Sequence, residues 1–137
     1  MPQKCQPGQE SARNALRGQF EKIQNELEGV RTCDEKAIHD MRVASRRLRM
    51  ALRIYRPYLD KSACKVVRRT ARGITRALGR YRELDIMVVM LQQHHGGTYG
   101  LWTRFIDHAI VILEERRSRA KLFCMDAVTV VEDEAFQ

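Results

Sequence analysis

"HDMRVASRRLRMALR", residues 39–53, packs five arginines and a histidine into fifteen residues whose apolar members still recur at helical spacing. With His39 as the origin of a wheel at about 100° per residue, Arg42, Arg46, Arg49 and Arg53 fall at about 280° to 340°. Met41, Ala44, Leu48, Ala51, Leu52 and Tyr55 fall at about 120° to 220°. The stretch therefore reads as an amphipathic helix with a core face and, roughly opposite, a narrow arginine stripe. Arg47, at about 80°, points elsewhere and reads as ordinary surface charge. Like charges four apart on a helix repel by a few tenths of a kcal/mol, so a stripe of one sign points to an anionic partner.

Upstream, from Ser11, the apolar residues Leu16, Phe20, Ile23, Leu27 and Val30 advance by 4, 3, 4 and 3, the seam of a helix packed on another helix. Gly29 loosens its end, and Thr32-Cys33-Asp34-Glu35 has the spacing of a capping box that starts the arginine helix. Pro57 stops that helix near Arg56. Downstream, a third helix is expected from about Ser62 to about Gly79 or beyond. With Arg68 as origin, Lys65, Arg69, Arg72, Arg76 and Arg80 lie at about 40° to 120°. Ala63, Val66, Val67, Ala71, Ile74, Ala77, Leu78 and Tyr81 lie at about 160° to 300°. Residues 83–93 suit a buried strand by composition, but no partner strand exists for them, so they are expected as helix. Residues 96–100 read as a loop. A last helix from about Leu101 is expected to use Trp102, Phe105, Ile106, Ala109, Ile110 and Leu113 as its core face. The expected fold is all-α, a helical bundle of about four to five helices. It divides into a disordered lead (1–10), one helical bundle (11–126) and an acidic end (127–137).

Composition narrows the function. The 137 residues carry a formal net charge of +8 and suffice for one domain. Residues 36–82 hold 15 basic residues against only Asp40 and Asp60, a local balance of +13. A solvated helix face normally mixes signs at i,i+4 spacing. Here the sign is uniform and arginine dominates, whose planar fork grips phosphate oxygens bidentately and whose charge cannot be titrated away. Each ladder is roughly 20 Å long, and an antiparallel pair would set them side by side as one elongated cationic surface.

Other classes fare worse. Cys5, Cys33, Cys64 and Cys124 form no CxxC pair, which fits reduced thiols in a cytoplasmic protein. The N-terminus lacks the apolar core of a secretion signal, and the longest apolar runs are too short to span a bilayer. Phosphoryl chemistry needs carboxylates to hold Mg²⁺, and the basic region has two acids. Glu83 and Asp85, two apart, do not share a helix face and suit capping or ion pairing. His94-His95 beside Gly96-Gly97 is weak evidence for a metal. No phosphate loop, nucleophile triad or dinucleotide fingerprint occurs, so neither catalysis, nor a cofactor, nor a metal is expected.

"IHDMRVASRRLRMALRIY", residues 38–55, followed by "LGRYRELDI", residues 78–86, resembles the CHAD domain, the conserved histidine α-helical domain. His39, Met41, Arg42, Val43, Arg46, Arg47 and Arg49 fall in register with its first motif, and Leu78, Gly79, Arg82 and Asp85 with its second. Glu83 stands where the family usually has Asp, which keeps the charge. The resemblance implies a non-catalytic helical domain that binds inorganic polyphosphate through basic side chains on an inner surface, often in proteins of polyphosphate granules. It makes His39, Arg42, Arg46, Arg49 and Arg53 ligands on one helix. Lys65, Arg69, Arg72, Arg76 and Arg80 join them on the next, more by their stripe than by the motif. His39 would donate as neutral imidazole or, at mildly acidic pH, add charge.

The family holds two such repeats about a pseudo-twofold axis, and this chain, matching over about 11–124, contains one. The expectation is half of a two-bundle architecture, completed by a homodimer that ligand or high salt promotes, unless the chain is a piece of a longer protein. The alternative function is a nucleic-acid-binding helical module contacting the phosphate backbone. Neither stripe carries the Asn, Gln or aromatic side chains that read or stack bases.

Overall fold

Helices account for all regular structure in the computed structural model, which describes residues 7–97 and 100–133. They are α1 (Pro7–Asn25), α2 (Leu27–Arg31), α3 (Glu35–Ile54), α4 (Lys61–His95) and α5 (Leu101–Asp133), with a 3-10 turn at Arg56–Tyr58. The arginine-rich stretch is α3, and Pro57 ends it by opening that turn. Asp60 then starts α4, its carboxylate accepting from the Ala63 backbone N–H at 2.8 Å.

The entry to α3 differs from the expected capping box. Asp34, not Thr32, is the cap, accepting from the Ala37 N–H at 2.8 Å. The Thr32 hydroxyl instead bonds back to the Gly29 carbonyl at 3.0 Å. The reason lies in how α2 stops: the Asp34 N–H bonds to the Gly29 carbonyl at 2.8 Å and the Cys33 N–H to the Val30 carbonyl at 3.0 Å. That is a Schellman ending, with Cys33 at φ 58° where glycine is usual. It uses up Thr32 and Cys33 before a new helix can begin.

The expected first helix is also two. It starts at Pro7, inside the stretch expected as a disordered lead, whose residues 1–6 lie outside the described residues, as do 134–137 of the expected acidic end, and it breaks at Glu26, so that α2 turns onto α3. At Gly29 the approach is so close that a Cβ would stand 2.4 Å from that of Ala37; only glycine permits it. The expected third and fourth segments are instead one helix, the 35-residue α4.

Apolar faces decide the packing order. α1 and α2 lie on α3, α3 on α4 and α4 on α5, with α2 also reaching α5. Ile23, Val30, Met41, Leu48, Leu52, Ile74, Leu78, Tyr81, Cys124 and Val128 meet in one core. Burying each large aliphatic chain contributes about 1.5–3 kcal/mol. The α3 face is buried as expected except for Tyr55, which is half-buried; on α4, Ala63 and Val66 are exposed. α5 departs most. Only Ile106 of its expected core face is buried, whereas Trp102 is 70% and Phe105 65% exposed. The buried part of α5 lies further along, at Ala120, Cys124 and Val128, where α4 and α2 both reach it.

Candidate functional site

Because α3 and α4 pack through their apolar faces and run antiparallel across a short turn, their polar stripes come to the same rim. Arg46, Arg49 and Arg53 of α3 and Lys65, Arg69 and Arg72 of α4 line a single groove of about 630 Å³. Met50 and Arg68 complete its wall. Among the described residues, none of these seven basic side chains pairs with a carboxylate. The two acids of the basic stretch are engaged elsewhere: Asp60 caps α4, and Asp40 pairs with Lys36 at 2.8 Å. That hydrogen bond draws the Asp40 carboxyl below its ordinary range and raises the Lys36 ammonium. The Nε of Arg49 is buried and has no acceptor among the described residues. The groove is thus a concave, uncompensated strip of cationic donors, suited to a string of oxyanions and to no acid–base chemistry.

Four expected ligands lie outside that groove. His39 and Arg42 line a neighbouring concavity of about 490 Å³ with Asp34, Glu35, Lys36 and Arg82. There the Arg42 guanidinium lies over Gly79, 3.8 Å from where a Cβ would stand. Arg76 and Arg80 face α5 instead, in a third concavity shared with Arg116 and Arg119.

The second sequence motif is mostly structural. Leu78 is core, while Arg82 pairs with Glu35 of α3 and, at 3.0 Å, with Asp85. Asp85 also binds Arg117 of α5 at 3.0 Å, so one carboxylate and its arginines tie three helices together. Of the two roles expected of Asp85, capping or ion pairing, it takes ion pairing.

Arg68, Arg116 and Arg119 were not among the expected ligands. Arg68 sits about 40° from Arg72 on the wheel, just beyond the stripe, and its spacing to Lys65 and Arg72 was the available signal. Arg116 and Arg119 lie in Glu114-Glu115-Arg116-Arg117-Ser118-Arg119, where mixed signs conceal any stripe.

The remaining reactive groups are engaged in packing. Cys33, Cys64 and Cys124 are free thiols. Burial pushes the Cys124 thiol up to about 12, and it donates to the Ala77 carbonyl at 3.4 Å. Burial, followed by a hydrogen bond with Cys33, raises the Tyr81 phenol to about 12 as well. His94 contacts the Met90 carbonyl at 2.7 Å and His95 the Asp107 carboxylate at 2.5 Å. Among the described residues no three His, Cys, Asp or Glu side chains gather for a metal, and no helix is long and apolar enough to cross a membrane.

No curated protein and no solved structure shows significant similarity to this sequence. A family description does: the CHAD domain matches residues 14–123, from within α1 to within α5, spanning both basic stripes and the helices that bring them together, and the chain belongs to that family.

Proposed function

We propose that this protein binds inorganic polyphosphate, without catalysing a reaction on it, in the groove between α3 and α4. The observation that carries the reading is the convergence of Arg46, Arg49, Arg53, Lys65, Arg69 and Arg72 on one groove with, among the described residues, no carboxylate paired to them. Stacked like charges weaken the free helices, and a linear polyanion removes that penalty. Arginine forks meet phosphoryl oxygens in pairs, and the roughly 20 Å run of each stripe matches an extended chain better than a compact anion. His39 and Arg42 extend the path toward the start of α3. The protein would collect wherever polyphosphate accumulates, granules in the cytoplasm included.

A second copy is the proposed protein partner, supplying the other repeat of the family. Met87, Met90, Trp102 and Phe105, exposed at the far end of the α4–α5 hairpin, offer apolar surface for it, away from the groove. Light scattering with and without long polyphosphate should show a dimer at least in the presence of polymer; a strict monomer in both would remove this partner.

Nucleic acid presents the same charge, and both polymers bind with a steep salt dependence as counterions are released. Competition separates them. Long polyphosphate should displace DNA or RNA of equal total charge from the groove, since no aromatic side chain lines it for stacking. Preference for nucleic acid would reverse the assignment.

A further inference from the structure

The basic stripe of α4 continues past the groove. One turn beyond Arg72, Arg76 and Arg80 form one wall of a separate concavity of about 780 Å³, whose other wall is Arg116, Arg119 and Phe123 of α5. Among the described residues, Arg76, Arg80 and Arg116 have no carboxylate partner. Arg119 pairs with Glu115 at 2.5 Å, but both ends of that i,i+4 pair are more than 60% exposed; such a pair contributes little and exchanges readily for a stronger anion. Four guanidinia thus gather on the open side of α4–α5.

Gly73 lines the second concavity at its edge nearest the groove, next in the chain to Arg72 of the groove. On the helix surface its neighbours three and four residues away include Arg69, which lines the groove, and Arg76, which lines the second concavity. A glycine inside a helix weakens it relative to alanine, so its presence there calls for a reason. Packing supplies none: a Cβ at position 73 would meet nothing within 4 Å, in contrast to Gly29, where Ala37 closes the space. What the missing side chain does leave is a low point in the ridge of α4, flanked on both sides by arginines.

We propose that the α4–α5 concavity is a second subsite for a linear polyphosphate, held by Arg76, Arg80, Arg116 and Arg119, and that the chain crosses α4 at Gly73 to reach it from the α3–α4 groove. This rests on the polyphosphate reading of the groove. From Lys65 to Arg80 the path along α4 is about 22 Å, so tripolyphosphate is too short to occupy both sites, whereas long-chain polyphosphate spans them and gains from the link.

The test uses the full chain, with tripolyphosphate and long-chain polyphosphate titrated at one salt concentration. Arg116→Gln with Arg119→Gln should weaken long-chain binding by about three- to tenfold while leaving tripolyphosphate within about twofold. Gly73→Leu should raise the melting temperature, as helix propensity dictates, and yet weaken long-chain binding to a similar degree. Gly18→Leu, at another open helical position but on α1, should raise the melting temperature and leave binding alone. Wild type that binds the long polymer, with the Arg116/Arg119 and Gly73 variants binding it equally well, overturns the second subsite and leaves the groove standing. Wild type that binds neither polymer overturns the groove reading and this inference together.

Discussion

The two halves of α4 share one helix and one periodicity, yet they face different surroundings. In the first half Ala71, Ile74, Leu78 and Tyr81 are buried and the opposite side is basic. In the second half Ile86, Met87, Val89 and Met90 are 41–53% exposed and Val88 alone is fully buried. The pair between Glu35, the first residue of α3, and Arg82 marks the change. Beyond it α4 has outrun α3, and among the described residues α5 is its main neighbour. Apolar periodicity thus says which side of a helix seeks cover, while the reach of the neighbouring helices decides whether it finds any.

Truncating one side chain in each half of α4 should have very different effects. Leu78→Ala removes a side chain that is 1% exposed and should cost about 2–5 kcal/mol in urea unfolding. Met87→Ser, at 49% exposure, should change stability by no more than about 0.5 kcal/mol. Equal losses at the two sites in polymer-free protein would mean that the hairpin end is already covered without polyphosphate.

The core of the first half should also respond to alkali. The Cys124 thiol and the Tyr81 phenol are raised in the folded state, from 9.0 and 10.0 respectively to about 12. The unfolded chain therefore releases these protons first as pH rises, so stability is fully present below about pH 9 and is lost on the way to about pH 12. Urea midpoints measured across that window should fall, and Cys124→Ala should flatten the decline relative to its own neutral value.

A smaller effect is expected where the halves join. Asp85→Asn removes the carboxylate that holds Arg82 and Arg117. Those partners are partly exposed, so the loss should be about 1–2 kcal/mol, below the 3–5 typical of a fully buried pair. An unchanged unfolding midpoint would show that Arg82 is held by Glu35 alone.

The sequence exposed the basic half more fully than the apolar one. Arg46, Arg49, Arg53, Lys65, Arg69 and Arg72 were legible because uniform sign at helical spacing survives whatever packs behind it. The break at Glu26 was not, since the seam from Leu16 to Val30 runs through it unbroken; only the contact of Gly29 with Ala37 requires it. Trp102 and Phe105 looked like core because nothing in their own helix reveals that α3 stops short of them. Arg116 and Arg119 escaped notice because their stripe exists only across two helices, α4 supplying one side and α5 the other.

Whether the groove holds polyphosphate is decided by one titration. Arg46→Ala combined with Arg72→Ala removes one guanidinium from each wall. Affinity for long polyphosphate should fall by roughly tenfold to a hundredfold, with a shallower salt slope, unchanged helicity and a free protein at least as stable as wild type. Binding by that variant as tight as wild type, with the same slope, would contradict the account.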